Sequence, residues 1–152
     1  MARGDAHWFE AATLSAWTGT SFNLSSDTLK IGIVTNATVP TVGTTDPRWG
    51  AGGTTNFSSN QVATATAYTG PITAASVTFT RSSGVSTLDI ADITVAQDAA
   101  GFTNAYWAIL YDDTLAGKHA LLYIDLGGPV SIAGGALNFA INAAGLHTKT
   151  AT

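Results

Sequence analysis

Apolar residues along this chain fall into short runs of two kinds. Over Ala105–Tyr111 and Ala120–Leu126 they are nearly continuous, and a polar connector, DDTLAGKH, separates the two runs. Runs this short, rich in Ile, Leu, Tyr and Trp and bounded by turn residues, predict buried strands rather than helices. Asp112, Asp113 and Gly117 supply the turn chemistry, so the pair reads as a central hairpin. Elsewhere the pattern alternates, as in a strand with one face buried. Leu29, Ile31 and Ile33 alternate with Lys30, Gly32 and Val34 over Leu29–Thr35, and Gln61–Thr69 and Ile72–Thr80 alternate likewise. Leu88–Val95 alternates with an interruption at Ala91 and Asp92, which predicts a bulge. Val130–Ala133, Ala136–Asn142 and Leu146–Thr150 complete a set of about eight strands, punctuated by Gly70-Pro71, Arg81–Gly84, Gly127-Gly128-Pro129 and Gly134-Gly135.

The remaining segments are less regular. Residues 1–6 are expected to form a loose arm, and Trp8–Trp17 a short helix that needs docking to be stable. Its two tryptophans either cap one end of the core or grip a neighbouring subunit. Asn36–Gly53 is a long loop, and Trp49 within it implies that part of the loop folds back or meets a partner. Long helices alternating with strands are absent, which argues against an α/β enzyme fold. The expectation is an all-β fold: an antiparallel β-sandwich or jelly-roll-like barrel over residues 28–152, preceded by an arm with a possible short helix over residues 1–27.

Composition sharpens this. The length of 152 residues suits one domain. Charged residues make up 11% of the chain, against about 25% in an ordinary domain. Either hydroxyls and amides solvate the surface, or much of it meets a partner, as in a subunit of an assembly. The net charge is −4, and the six basic residues, Arg3, Lys30, Arg48, Arg81, Lys118 and Lys149, form no cluster, so nucleic acid is an unsuited partner. Cysteine is absent. No apolar run approaches a membrane span, and the first residues hold no continuous apolar signal core. The expected site of synthesis is the cytoplasm, with export, if any, inside something larger.

No catalytic set emerges. His7, His119 and His147 lie far apart in sequence and are expected at the surface, outside any zinc spacing. There is no GxSxG elbow, and WGAGGTT at residues 49–55 lacks the lysine of a phosphate loop. Asp112 and Asp113 have the oxygens to begin a calcium site, but a turn whose carboxylates bond nearby N–H groups explains them more simply. The Asn-x-Ser/Thr triplets at Asn23, Asn36 and Asn56 are expected by chance in a chain this rich in such residues. No catalytic, cofactor or metal residue is assigned. The candidate partner-contact residues are Trp8, Phe9, Trp17 and Trp49, because aromatic anchors dominate interfaces.

The order of these segments from Leu29 to Thr150 resembles one family, the small virion proteins of tailed phages. LKIGIVTNATVP looks like that family's opening strand and loop, and GAGGTT like the glycine-rich segment before its second strand. LDIADITV, AYWAILYDDT and LLYIDLGGPVSIAGGALNFAINAAGLHTKT resemble its later strands and turns in the same order. The chain departs from the family in the Asn36–Gly53 loop and at Phe102-Thr103-Asn104. The resemblance implies a non-enzymatic head decoration (cement) protein on the outer capsid surface of a virion. The implied partners are the major capsid protein and further copies of itself, as a homotrimer, and no cofactor or catalytic residue is carried over. Two alternatives stand beside it: a tail or fibre component that contacts the host surface, and a carbohydrate-binding module using Trp49 or Tyr68 as a stacking platform.

Overall fold

The computed structural model describes residues 4–19 and 22–150. The fold is all-β, with several antiparallel sheets and one eight-residue helix. At its centre stands the expected hairpin, β9 (Ala105–Asp112) and β10 (Ala120–Val130), paired antiparallel. β2 (Leu29–Val34) pairs with the other edge of β9, setting Ile31 opposite Leu110 and Gly32 opposite Ile109. β1 (Ala6–Trp8) flanks β10 and β5 (Ile72–Thr73) flanks β2, which gives the order β1-β10-β9-β2-β5.

Residues opposite one another in a ladder share a face. One face therefore carries Leu29, Ile31, Ile33, Ala108, Leu110, Leu122 and Ile124. The other carries Gly32, Val34, Trp107, Ile109, Tyr111 and Tyr123. Both sets are buried, which is why β9 reads as a continuous apolar run. The second face is covered by aromatic rings from outside the sheet. Phe9 lies 5.1 Å from Tyr123 and 5.9 Å from Phe57. Trp49 stacks on Tyr111 at 5.2 Å with the rings 6° from parallel. Its six-membered ring occupies the place where a Cβ on residue 32 would project, so a glycine is required there.

The long loop reaches this position because it is tied to the hairpin connector. β3 (Pro47–Arg48) runs parallel to β4 (Thr55–Asn56). Trp49 N–H donates to Lys118 O at 2.9 Å. Arg48 Nη1 donates to Gly117 O at 3.1 Å, and Arg48 Nε binds Asp46 Oδ1 at 2.7 Å. Of the two roles open to Trp49, the structure shows the first: the loop folds back.

Two further antiparallel sheets complete the body. β6 (Thr78–Ser82), β7 (Val85–Asp89) and β12 (His147–Thr150) form one in the order β12-β7-β6. β8 (Ile93–Val95) pairs with β11 (Leu137–Phe139) in the other. Their Leu88, Ile93, Val95, Leu137 and Phe139, and Ile90 between β7 and β8, are buried in the same core as the central sheet.

Several local expectations are corrected. No sheet closes into a barrel, and the strands number twelve among the described residues because many are only two or three residues long. Residues 4–8 are no loose arm: Gly4 N–H donates to Asp125 O, β1 pairs with β10, and Phe9 N–H donates to Leu121 O. Residues 1–3 lie outside the described residues. Gln61–Thr69 is not a strand. A bond from Ala65 N–H to Tyr68 O, 2.8 Å, folds it on itself, and it serves the outer edge of β2 at single points. Val62 N–H donates to Ile33 O, and the buried Tyr68 hydroxyl accepts from Ile33 N–H at 3.0 Å. Ile72–Thr80 breaks near Ser76, which has φ 51°, so that β5 and β6 join different sheets. The interruption at Ala91-Asp92 is likewise a change of sheet rather than a bulge. Gly127-Gly128-Pro129 does not end β10, which passes through it with an irregular register between Asp125 and Val130. Val130–Ala133 is no separate strand, and Ala136–Asn142 shortens to β11 because Ile141 N–H bonds the Asp92 carboxylate instead of a neighbouring strand.

Gly32→Ala is expected to lower unfolding stability by about 1–3 kcal/mol, since the added methyl overlaps a ring held in a close-packed core. In a Trp49→Ala background the same substitution should cost far less, because the obstacle is gone. Urea unfolding of the four proteins in this double-mutant cycle measures the coupling.

Candidate partner-binding groove

α1 (Glu10–Trp17, EAATLSAW) follows β1 directly. Phe9, fully buried, and Ala12, 2% exposed, fix one side of it to the core. Thr18 closes its end, its N–H and hydroxyl both donating to Leu14 O at 2.9 Å. Its outward side carries Glu10 together with two large apolar side chains, Leu14 at 61% and Trp17 at 81% exposure, where a surface helix ordinarily turns such residues to the core.

Between this helix and the β12-β7-β6 sheet runs a cleft of about 460 Å³. One wall is α1, through Ala12, Thr13, Ala16 and Trp17, and a second is the segment Phe22–Ser25. The floor is one face of the small sheet. The register sets Phe79, Leu88 and His147 in one cross-strand row, with Ser86 and Lys149 in the next. Trp8 joins the two layers, stacking on the His147 ring at 5.7 Å. Burial first, and then the nearby His7 and Lys149 charges, hold the His147 imidazole below the usual histidine range, against a bond with Ala6 that raises it. The groove thus offers a ligand aromatic and aliphatic surface with one ammonium, Lys149, among its lining residues.

The Phe22–Thr28 side is tied to the hairpin turn. Phe22 meets the His119 ring edge-on at 5.5 Å, and Thr28 N–H donates to Thr114 Oγ1 at 2.8 Å. His119 Nε2 accepts from Arg48 Nη1 at 2.8 Å, since a guanidinium only donates; burial, and then the guanidinium, lower the His119 pKa and keep the ring neutral. Asp112 is fully buried, and its Oδ1 takes the N–H groups of Thr114 and Leu115 at 2.9 and 3.2 Å. Its Oδ2 has no donor partner, and Asp27 is the carboxyl that faces it. The two form a bond only when they share a proton. Burial first, then the Asp27 carboxyl, push Asp112 up to about 6 against its two backbone donors. The turn reading of Asp112 is therefore what the structure shows. Asp113 instead binds Lys30 and Lys118 at 2.7 and 2.8 Å. Among the described residues no three His, Asp or Glu side chains converge at metal distance.

Of the candidate contact residues, Trp17 is exposed, Trp8 is half-buried in the groove, and Phe9 and Trp49 belong to the core. Phe9 and Trp49 cannot anchor a partner without unfolding the face they cover. Trp49 at 6% and Tyr68 at 1% exposure are equally closed to a sugar ring. The histidines are not surface imidazoles: each is partly buried against a ring, His7 on Tyr123, His119 on Phe22 and His147 on Trp8. Sequence reasoning missed Leu14, Phe22, Leu24 and Phe79. The signal was present in α1, whose apolar residues are not confined to one side, and in Phe79, a lone aromatic in the otherwise polar TFTRS.

The Asp112 acid has a folded pKa above its ordinary value of 3.8, so its contribution is fully present below about pH 4 and is lost as pH rises through about 6. Asp112→Asn keeps the acceptor for the turn N–H groups and gives Asp27 a permanent donor. It is expected to be more stable than the parent at pH 8, by about 1 kcal/mol, with the difference vanishing towards pH 4. Thermal melts of both proteins across that range measure it.

Compared with protein families, with curated proteins and with solved structures, the chain matches none.

Proposed function

We propose that this protein is a non-enzymatic structural component that works by seating the α1 groove on the surface of a larger assembly. On the resemblance of Leu29–Thr150, that assembly is a phage head and the protein a decoration protein bound to the major capsid protein on its outside. The observation that carries the reading is Trp17, 81% exposed at the lip of an aromatic groove. An isolated exposed leucine is ordinary, but tryptophan is the residue most enriched where interfaces concentrate their energy. The low charge of the chain, 11%, fits a surface that spends its life against protein.

The mechanism is linkage. A protein that binds only the assembled shell stabilises that state by mass action. Modest contacts repeated by the symmetry of a particle add through effective concentration. A tail or fibre position would use the same groove and differs in where on the particle the protein is found.

Gold-labelled antibody to this chain should mark the heads of purified virions of the phage that encodes it. Label confined to tails favours the fibre reading, and absence from virions removes both. Trp17→Ser is expected to melt like the parent, since the ring contributes little to the core, and to lose about tenfold or more in affinity for emptied heads in co-sedimentation. Undiminished decoration by this variant would show that the groove is not the contact.

A further inference from the structure

We propose that β6 pairs with β6 of a second copy of this chain, antiparallel and centred on Thr80, joining two β12-β7-β6 sheets into one six-stranded sheet across a two-fold axis. The inference is independent of the virion reading.

β6 ends the small sheet, and β7 is its one neighbour among the described residues. All five of its residues, Thr78, Phe79, Thr80, Arg81 and Ser82, are exposed. Ser83 and Gly84, with φ 49° and 78°, form the two-residue turn into β7, and Ser82 faces Val85 directly across it. Residues flanking such a turn exchange backbone hydrogen bonds, and the pattern alternates along the ladder. Thr78, Thr80 and Ser82 therefore direct their backbone groups to β7, while Phe79 and Arg81 direct theirs outward. The usual protections of an edge are missing. The strand holds no proline, its register with β7 is unbroken, and Arg81 is its single charge.

The sequence of the strand is complementary to itself. With the axis at Thr80, Phe79 lies opposite Arg81 of the second copy, and Arg81 opposite the second Phe79. These are the residues whose N–H and C=O groups point outward, so each such pair exchanges two backbone bonds. On the groove side each guanidinium then lies beside a phenyl ring, an attractive arrangement. On the other side Thr78 meets Ser82, and Thr80 meets its own copy at a close, non-hydrogen-bonded position. Moving the axis to Arg81 would oppose two guanidiniums, and moving it to Phe79 would set Arg81 against Val77, outside the strand. Hydrogen-bond phase allows an axis at any of these three residues, and charge together with strand length selects the one at Thr80. The pairing is isologous and closes on itself. It also brings the floors of two grooves side by side, since Phe79 belongs to both edge and floor.

The chain contains no cysteine, so Thr80→Cys introduces the sole thiol. Opposed across the axis, the two thiols fall within disulfide reach. Under mild oxidation this variant should form a covalent dimer. Thr87→Cys, on the same side of the sheet but paired to Thr80 within one copy, should not. Thr78→Cys mixed with Ser82→Cys should cross-link faster than either alone. By light scattering the parent should show twice the 15.5 kDa of one chain at high micromolar concentration. Phe79→Lys, which sets an ammonium against Arg81, should weaken association about tenfold or more, and Phe79→Lys with Arg81→Glu should restore it. A monomeric or trimeric parent, or cross-linking of Thr80→Cys no better than of Thr87→Cys, would overturn the proposal.

Discussion

A sheet buried on both faces needs two covers, and in this protein one of them is a loop. The indole of Trp49 lies flat on Tyr111 in the space left by Gly32. Without it, the Tyr111 ring and the backbone at Gly32 would lose their cover, leaving Phe9 and Phe57 to shield the rest of that face. Interleaved rings and a missing Cβ form a contact that neither partner makes alone, because cores are packed to crystal-like density. Asp46, Arg48 and the Lys118 carbonyl set the loop's approach. The same hairpin connector receives Asp27, Thr28 and Phe22 from the other side. The turn between β9 and β10 thus ties down the cover of the sheet and the wall of the groove together.

The central hairpin was legible from Ala105–Leu126 because a continuous apolar run of that length has few other ways to be buried. β2 was legible for the complementary reason: Leu29, Ile31 and Ile33 share the period of a strand. What failed was alternation without burial to back it. In Gln61–Thr69, Val62 and Tyr68 are buried while Thr64 and Thr66, of the same parity, are exposed, so the period carries no face. The break near Ser76 was invisible because a strand that changes sheets can keep its local pattern, and the one at Ala91-Asp92 showed as an interruption that reads equally as a bulge or as a change of sheet. The groove was half legible. Of the aromatics singled out, Trp8 and Trp17 line it while Phe9 and Trp49 are buried, because an aromatic residue in a loop or arm reads the same whether it faces in or out. Gly32 was the missing clue: a glycine inside a strand often marks close approach by another group, here the ring of Trp49.

The helix poses the opposite problem. Eight residues are too few to hold a helix in water, and α1 lacks a side-chain N-cap. Phe9 and Ala12 hold it from within. Its outer side gains nothing from leucine and tryptophan unless something covers them. A serine or lysine at either place would serve solubility better, so the stability of the isolated chain does not account for Leu14 and Trp17. The contact surface proposed for the groove would account for them.

The treatment of sheet edges makes the same point from the backbone. Along the central sheet the chain supplies a partner wherever a strand ends early. Gly4 and Phe9 extend the bonds of β1, and Val62 and the Tyr68 hydroxyl serve β2 beyond the two residues that β5 covers. Burial pushes that phenol up to about 12, so it remains a neutral acceptor of the Ile33 N–H throughout the physiological range. Among the described residues β6 receives no such service, although its outward N–H and C=O groups have the same appetite for partners. Water satisfies them in a free chain, at the cost of leaving a template open to any other strand. In a protein with so few charges to keep neighbours away, an unprotected edge of defined, self-complementary sequence is best understood as an edge that meets its own kind.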